Sequence, residues 1–289
     1  MHNGTKTPRV VAIIQARMNS QRLPRKVMLT LARRTILAHI VARARAARTL
    51  DAVVVATSDQ PADEVLAAEA ASLGVPVYCG PEEDVLARFV GACAMTGAQV
   101  GVRITADNPL IDIPGLDAVV THHLRTGAVY THNLGDTGLV RYPNGNALGL
   151  GVEAFSVEAL NYIHTLDLKP LHRSDVTRLF EENPERFRCE VVPGRPALRR
   201  PDLRLTLDTV EDLAVFRFLY ERLYRPGIPI DAAEAVRLLD AAPHIAALNR
   251  SNEFPRLPEV YKLQPDGTLR RAETGASLHD SRQAAAFAL

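Results

Sequence analysis

Short apolar runs rich in β-branched residues alternate in this chain with stretches in which apolar residues recur at helical spacing. Residues 10–14 and 52–56 have the composition of strands that are buried on both faces of a parallel sheet. Residues 35–48, which lie between them, place their largest apolar side chains on one helical face. Repeated strand–helix units of this kind predict an α/β fold with a doubly wound, mostly parallel sheet.

The same two patterns continue to about residue 223. They predict further strands at residues 75–78, 99–104, 188–192 and 204–207, and further helices at residues 59–74, 82–95, 156–165, 173–182 and 209–223. Gly and Asn are frequent in residues 131–150, which predicts a long loop. We therefore expect one domain in residues 1–249, with an insertion at about 131–153, and a polar, partly disordered tail in residues 250–289.

Composition narrows the class of protein. Of the 289 residues, 47% are hydrophobic and 23% are charged, which is ordinary for a globular chain and excludes disorder throughout. The three cysteines lie too far apart for a disulfide framework or a CxxC metal knuckle. The first apolar run is too short for a signal peptide or a membrane span, so we expect a cytoplasmic protein without a membrane partner.

Positive charge is concentrated at the start of the chain. Eleven Lys or Arg residues precede Asp51, which is the first acidic residue. Such a segment favours an anionic partner, which could be nucleic acid, a membrane surface or a phosphorylated small molecule. No aromatic residue of the Phe, Tyr or Trp type precedes Tyr78, so the segment lacks the stacking platforms of a single-strand binder. Nucleic acid is therefore not the expected partner.

The loop after the first strand, residues 15–26, reads QARMNSQRLPRK and contains four cations. In open parallel sheets, ligands bind beyond the carboxyl ends of the strands, where this loop begins. A triphosphate matches it, because Arg and Lys can neutralise the phosphates and stabilise a leaving pyrophosphate. A solvated basic loop without a ligand is the alternative. The chain has no GxxxxGK[ST] segment, which excludes a P-loop NTPase.

Two carboxylates also follow buried apolar runs. Asp107 ends the run that contains Arg103, and Asp208 follows the run at residues 204–207. Taken singly, Asp208 is typical of a helix N-cap and Asp107 of a turn before Pro109. Mg²⁺, however, prefers a few carboxylates together with phosphate oxygens and water. Combined with the basic loop, the two aspartates indicate a metal-assisted phosphate site.

Six segments, in order and at compatible spacing over about residues 9–225, resemble a known family. They are QARMNSQRLPRK, VVVATSD, EEDVLARF, VRITADNPLID, GVEAFSVEAL and RLTLDTVEDL. The chain resembles the cytidylyltransferase family of spore-coat polysaccharide biosynthesis proteins, relatives of the acylneuraminate and 3-deoxy-manno-octulosonate cytidylyltransferases. The resemblance implies a nucleotide-diphospho-sugar transferase (Rossmann-like) fold and Mg²⁺-dependent transfer of CMP from CTP to an acidic acceptor, with release of pyrophosphate. The acceptor would be a sugar acid or a small phosphate or phosphonate, and a homodimer is left open.

The resemblance also assigns roles to residues of this chain. Catalysis is expected from Lys26, Arg22, Arg17, Asp107 and Asp208, of which the two aspartates would hold Mg²⁺. The nucleotide is expected to contact Ala16, Arg17, Ser20, Arg22, Lys26, Thr57, Ser58, Asp59, Asp84, Arg88, Arg103, Thr105 and Ala106. Apart from the motifs, the acceptor is expected to contact Arg141, Tyr142, Asn144, Glu153, His172 and Arg173, with a structural role at a helix start as the alternative for His172.

The chain departs from the family pattern on the acceptor side. Family members commonly have Tyr-Pro-Asp-Gly-Leu-Asp-Val-Glu where residues 142–153 are longer and less acidic, and Arg-Glu-His-Val-Thr where residues 173–177 read RSDVT. Three other functions are left open. They are a nucleotidyltransferase that uses another triphosphate such as GTP with a sugar phosphate, a glycosyltransferase of similar architecture, and a non-catalytic relative that binds nucleotide or nucleic acid. No Asp-x-Asp motif follows a strand, which disfavours the glycosyltransferase.

Overall fold

The computed structural model describes residues 8–20, 22–135, 137, 139, 142, 144–250 and 259–272. The strands are β1 (Val10–Gln15), β2 (Thr30–Leu31), β3 (Arg34–Thr35), β4 (Ala52–Ser58), β5 (Val77–Gly80), β6 (Val100–Thr105), β7 (Tyr130–His132), β8 (Glu153–Ser156), β9 (Cys189–Val191), β10 (Tyr261–Leu263) and β11 (Leu269–Arg271). The α-helices are α1 (Ile36–Ala46), α2 (Glu64–Ser72), α3 (Val85–Thr96), α4 (Ile113–Thr126), α5 (Val157–His164), α6 (Pro170–Ser174), α7 (Arg178–Glu182), α8 (Val210–Leu223), α9 (Ala232–Asp240) and α10 (Pro243–Ala246). Lys26–Met28, Pro61–Asp63 and Pro196–Leu198 are 3-10 turns.

A seven-stranded sheet in the order β5-β4-β1-β6-β8-β7-β9 forms the centre of the domain. Strand β8 runs antiparallel to β6 and β7, whereas the other pairings in this sheet are parallel. The predicted α/β fold with a mostly parallel sheet is confirmed. Gln15 pairs with Ala56 on one side and Thr105 on the other, so β1, β4 and β6 end at the same edge of the sheet.

Apolar layers cover both faces of the sheet. Ala12 and Ile14 of β1 belong to one hydrophobic cluster, and Val11 and Ile13 belong to the other. Successive side chains of a strand point to opposite faces, so a strand covered on both sides must be apolar at every position. This requirement explains the continuous apolar runs. In the described part of the chain, no helix combines the length and apolar character needed to cross a membrane.

Three element predictions were wrong. Residues 204–207 form no strand of the sheet, because their amides bond to loops instead, with Leu205 N donating to Leu148 O and Leu207 N to Asp107 O, both at 2.8 Å. The single helix predicted at 173–182 is two short helices, α6 and α7, which are interrupted near Asp175. The predicted loop at 131–150 begins inside strand β7. The patterns also missed helices α4, α9 and α10.

Part of the predicted C-terminal tail has regular structure. Strands β10 and β11 form an antiparallel hairpin within residues 259–272, and the other residues of 251–289 lie outside the described part of the chain. The buried side chain of Asn183, at the end of α7, fastens this hairpin. Its Nδ2 donates to the carbonyls of Leu179 and Tyr261, each at 3.0 Å, and its Oδ1 accepts from Leu263 N at 2.6 Å.

Replacing Asn183 by alanine is expected to lower the free energy of unfolding by about 3 kcal/mol, because peptide groups of α7 and of the hairpin lose their hydrogen-bond partner. Urea unfolding would measure the change. Asn161→Ala is the matched control, since Asn161 is exposed on α5 and should cost less than about 0.5 kcal/mol. Equal effects of the two substitutions would show that Asn183 does not fasten the hairpin.

Candidate active site

A cleft of about 560 Å³ opens at the sheet edge where β1 and β6 end. Its wall combines the loop after β1, the end of β6, the segment before β8, the start of α7 and the segment before α8. The lining residues are Gln15, Ala16, Arg17, Asn19, Ser20, Arg22, Lys26, Val27, Arg88, Arg103, Thr105, Ala106, Asp107, Asn108, Leu134, Thr137, Leu148, Gly149, Gly151, Glu153, Asp175, Thr177, Arg178, Glu181, Thr206 and Asp208.

One group of charges in the cleft, which we call the lysine cluster, consists of Arg22, Lys26, Asp107 and Asp208. The Nζ atom of Lys26 lies 3.0 Å from Asp107 Oδ2 and 2.9 Å from Asp208 Oδ1. Arg22 Nη2 lies 3.0 Å from the same oxygen of Asp208. The basic loop and the two aspartates that the sequence singled out therefore meet at one point, where both carboxylates contact one cation.

Lys26 and Asp107 of the lysine cluster are ionised at neutral pH. Burial lowers the pKa of Lys26, but Asp107 and Asp208 outweigh burial and raise it above the usual value. Burial acts to raise the pKa of Asp107, yet Lys26 and a 2.6 Å hydrogen bond from the Thr105 hydroxyl hold it below its usual value. The cleft thus contains an ammonium group in contact with the ionised carboxylate of Asp107, and not a neutral pair.

A buried network holds Asp208 in place. Arg204 Nη2 lies 2.6 Å from Asp208 Oδ2, and Asp212 accepts from the Asp208 amide at 2.8 Å. Arg204 also contacts Asp212 at 3.1 Å, and Asn249 donates to Asp212 at 2.8 Å. The N-cap of α8 is Thr209, which forms a capping box with Asp212. The Asp208 carboxylate is therefore not used as a helix cap, and it faces the cleft.

A second group of charges, which we call the arginine cluster, consists of Arg103, Glu153, Asp175 and Thr177. Arg103 on β6 is opposite Glu153 on β8, and its Nη1 atom lies 3.0 Å from Glu153 Oε2. The same Nη1 lies 3.1 Å from Asp175 Oδ1 and 3.2 Å from Thr177 Oγ1. Tyr130 completes the surroundings of Glu153 by donating its hydroxyl to Oε1 at 2.8 Å.

The two carboxylates of this cluster differ in acidity. Burial acts to raise the pKa of Glu153, but Arg103 and the hydroxyls of Thr177 and Tyr130 hold it below its usual value. Burial, reinforced by the charge of Glu153, raises the pKa of Asp175 despite its contact with Arg103. Arg103 therefore compensates Glu153 more completely than it compensates Asp175.

Glu153 makes the stability of the protein depend on pH. A carboxyl whose pKa is depressed on folding stabilises the protein above its unfolded pKa, here 4.5, and this contribution is lost as the pH falls through the folded value. Glu153→Gln is expected to cost about 3 kcal/mol near pH 7, because Arg103 loses a buried partner. Urea unfolding of both proteins should show this gap shrinking as the pH falls below 4.5, and a constant gap would contradict the role of the ion pair.

The structure places many of the expected site residues together. The expected residues that line the cleft are Ala16, Arg17, Ser20, Arg22, Lys26, Arg88, Arg103, Thr105, Ala106, Asp107, Glu153 and Asp208. The expected residues that are described but do not line it are Thr57, Ser58, Asp59, Asp84, Tyr142, Asn144, His172 and Arg173. Arg141 lies outside the described residues.

Two of the residues expected at the acceptor are engaged elsewhere. His172 is buried, and its Nε2 atom lies 2.9 Å from Glu182 Oε2. It therefore joins α6 to α7 and does not line the cleft. Arg173 lies 3.3 Å from Asp84, whose carboxylate also caps α3. Both side chains therefore have partners away from the cleft wall, and their assignment to the acceptor stays a prediction.

Ser58 and its neighbour Thr57 are buried behind the cleft. The amide and hydroxyl of Ser58 donate to Asp63 Oδ2, and Asp63 Oδ1 accepts from Met18 N at 2.7 Å. Through Asp63, the end of β4 is joined to the loop after β1. These contacts hold the basic loop in position at Met18.

Several residues in the cleft wall or directly behind it were missed by the sequence reasoning. Asp175 and Thr177 lie in the altered RSDVT segment, where Asp175 replaces the histidine that the family commonly has. Their departure from the family pattern was the available signal. Arg204 and Asp212 lie four residues before and after Asp208, but their roles depend on tertiary contacts that no spacing reveals.

Comparison with known proteins supports the earlier resemblance. Residues 11–192 match the model of a family described as Cytidylyltransferase. The spore coat polysaccharide biosynthesis protein SpsF of Bacillus subtilis is 33% identical over 244 residues, which are 82% of this chain and 96% of that protein. A 3-deoxy-manno-octulosonate cytidylyltransferase of Anaeromyxobacter sp. is 40% identical over 114 residues, which are 39% of this chain and 46% of that protein.

A solved structure agrees with these matches. The cytidylyltransferase from Leptospira borgpetersenii superposes with a TM-score of 0.74 at 26% identity, and the alignment covers 83% of this chain and 97% of that one. The segment matched by the family model contains the basic loop, Asp107 and the whole arginine cluster. The chain therefore belongs to the cytidylyltransferase family, whose members are nucleotidyltransferases.

Proposed function

We propose that this enzyme transfers CMP from CTP to an acidic acceptor in a Mg²⁺-dependent reaction that releases pyrophosphate. The observation that carries the proposal is the contact of Lys26 with both Asp107 and Asp208 in an open cleft beneath the basic loop. The family relationship supports the cytidine nucleotide. The three free cysteines suit a reducing cytoplasm, where CTP is available.

The residues of the loop after β1 would bind the triphosphate. Lys26 is already an ammonium ion, and Arg17 and Arg22 line the same part of the cleft. The acceptor oxygen would attack the α-phosphorus in line, as the bond from that phosphorus to the bridging oxygen of the leaving pyrophosphate breaks. The three cations would stabilise the charge that develops on pyrophosphate, so catalysis comes chiefly from positioning and electrostatics.

The donor set around Lys26 fits Mg²⁺. Asp107 and Asp208 approach the same cationic atom, within 3.0 and 2.9 Å, so they can share a metal ion. Within the described residues, no group of three or more His, Cys, Asp or Glu side chains could hold a metal. Two carboxylates suffice for Mg²⁺ when phosphate and water complete its ligands. When bound, the ion would neutralise phosphate charge, and Asp107 and Asp208 would hold it.

The acceptor would be a sugar acid or a small phosphate or phosphonate. Its nucleophilic oxygen must reach the α-phosphorus, so the acidic group beside that oxygen would lie near the cations of the lysine cluster. Glu153, one of the residues expected to contact the acceptor, lines the adjoining part of the cleft. The remainder of the acceptor would therefore contact the arginine cluster.

A screen for pyrophosphate release tests this proposal. The purified protein would be incubated with each of the four nucleoside triphosphates and Mg²⁺, against a panel of sugar acids, phosphates and phosphonates. We expect release with CTP and an acidic acceptor, and loss of release when EDTA removes the metal. Preference for GTP would overturn the nucleotide assignment. Release with neutral sugars only would overturn the acceptor assignment.

A further inference from the structure

The arginine cluster and the lysine cluster occupy adjoining parts of one cleft. Arg103 and Thr105 both line the cleft from β6, and at roughly 3.3 Å of rise per residue they are about 7 Å apart along the strand. Thr105 in turn donates to Asp107 of the lysine cluster. A small acceptor that reacts beside the lysine cluster can therefore place a second functional group beside Arg103.

Asp175 presents a carboxylate oxygen to this part of the cleft. Its side chain is 36% exposed and lies in the cleft wall, at the break between α6 and α7. Among the residues that the structure describes, Arg103 is the only cation that forms an ion pair with it, through Oδ1 at 3.1 Å. The other oxygen, Oδ2, has no hydrogen bond within that part of the chain, so a ligand can use it.

The charges around Asp175 leave an excess of negative charge. The single guanidinium of Arg103 faces two carboxylates, Glu153 at 3.0 Å and Asp175 at 3.1 Å. Arg178, at the start of α7, also attracts Asp175, but it is paired with Glu182 at 2.7 Å. Burial and the charge of Glu153 raise the pKa of Asp175, as expected for a carboxylate without full compensation. A positive group placed beside Asp175 would supply that compensation.

We infer that the acceptor carries an ammonium group, distant from its reacting oxygen, and that Asp175 binds this group. The inference rests on the proposed transfer of CMP, and it makes the acceptor a zwitterion whose acidic end reacts and whose amine lies in the arginine cluster. The ammonium would donate to Oδ2 of Asp175 and balance the charge of the cluster. Asp175 is thus a residue that determines acceptor specificity.

Other functional groups fit this position less well. A hydroxyl could donate to Oδ2 but would leave the excess charge of the cluster uncompensated. A carboxylate could approach Arg103, but it would also face Asp175 and Glu153, which already share that guanidinium. Repulsion between like charges in a partly buried site costs binding free energy. The order of affinity expected for otherwise identical ligands is therefore amine, then hydroxyl, then carboxylate.

Calorimetry on the full chain loaded with Mg²⁺ and α,β-methylene-CTP, which cannot transfer CMP, tests this order. Two ligand series would be titrated, short phosphonates and sugar acids, each with an amine, a hydroxyl or a carboxylate at the end away from the acidic group. We expect the amine of at least one series to bind about 10-fold more tightly than its hydroxyl counterpart, as one charged hydrogen bond supplies. Equal or reversed affinities in both series would overturn the inference.

Asp175→Asn should reduce the preference for the amine to less than about twofold, while the affinity for α,β-methylene-CTP stays unchanged. Glu158→Gln is the matched control, because Glu158 is exposed on α5 outside the cleft and its replacement changes the net charge equally. A preference that survives in Asp175→Asn would contradict the role of Asp175. Failure of the wild-type protein to bind α,β-methylene-CTP would instead contradict the proposed function.

Discussion

Replacing Lys26 by alanine is expected to lower the rate of pyrophosphate release by about 10³-fold. Its ammonium group is the cation that both Asp107 and Asp208 contact. It would bind the phosphates while the bond between the α-phosphorus and the leaving pyrophosphate breaks. The loss should appear in kcat and kcat/KM alike, because the interaction strengthens as charge develops on the leaving group. Steady-state pyrophosphate release at saturating CTP would measure it.

Arg25→Gln is the control for Lys26, since Arg25 is the adjacent cation of the same loop but is exposed and does not line the cleft. It should retain turnover to within about threefold, because a surface charge outside the site contributes little. A Lys26→Ala variant with unchanged turnover would show that the lysine cluster is not the site of reaction. Circular dichroism of each variant would establish that the fold is intact.

Asp208→Asn is expected to reduce turnover by more than about 100-fold. Removing a residue that only hydrogen-bonds to a metal ligand can already cost roughly 100-fold. Asp208 would be a direct ligand of Mg²⁺, and an amide removes the charge while keeping nearly the same shape. The Mg²⁺ concentration needed for half-maximal activity should rise in parallel. Arg204 keeps its contact with Asp212, so the free energy of unfolding should change much less than the activity.

Asp202→Asn provides the comparison for Asp208, because Asp202 is a half-exposed aspartate on the same segment whose partner is Arg200 and which does not line the cleft. Its activity and Mg²⁺ requirement should equal those of the wild type. If Asp208→Asn retained the wild-type Mg²⁺ requirement, the metal would have to be held elsewhere. Measuring turnover over a range of Mg²⁺ concentrations distinguishes these outcomes.

The fold and the lysine cluster could be anticipated because their signals are local. A strand covered on both faces must be apolar throughout, which makes β1, β4 and β6 visible as continuous runs. Parallel strands end at a common edge, so residues that follow different strands converge there without further information. Lys26 and Asp107 are 81 residues apart, yet this rule alone indicated that they could meet.

The errors arose where tertiary contacts replaced local preferences. Residues 204–207 have the composition of a strand, but their amides bond to the loops at Leu148 and Asp107. Residues 173–182 have helical spacing, but Asp175 interrupts the helix and its carboxylate contacts Arg103 on a different element. In each case the contact that overrides the local preference is made with a residue distant in sequence. The spacing of apolar residues does not reveal such a contact.

The sequence by itself determined the lysine cluster, since the basic loop and the two aspartates each follow an apolar run, although only the run before Asp107 is a strand. Only the tertiary structure decided the arginine cluster. This cluster combines Arg103 from β6, Glu153 from the antiparallel strand β8, and Asp175 from the break between α6 and α7. The net charge of the cluster depends on all three side chains lying in contact. The physical reason is that electrostatic compensation depends on distances between side chains, and folding sets those distances.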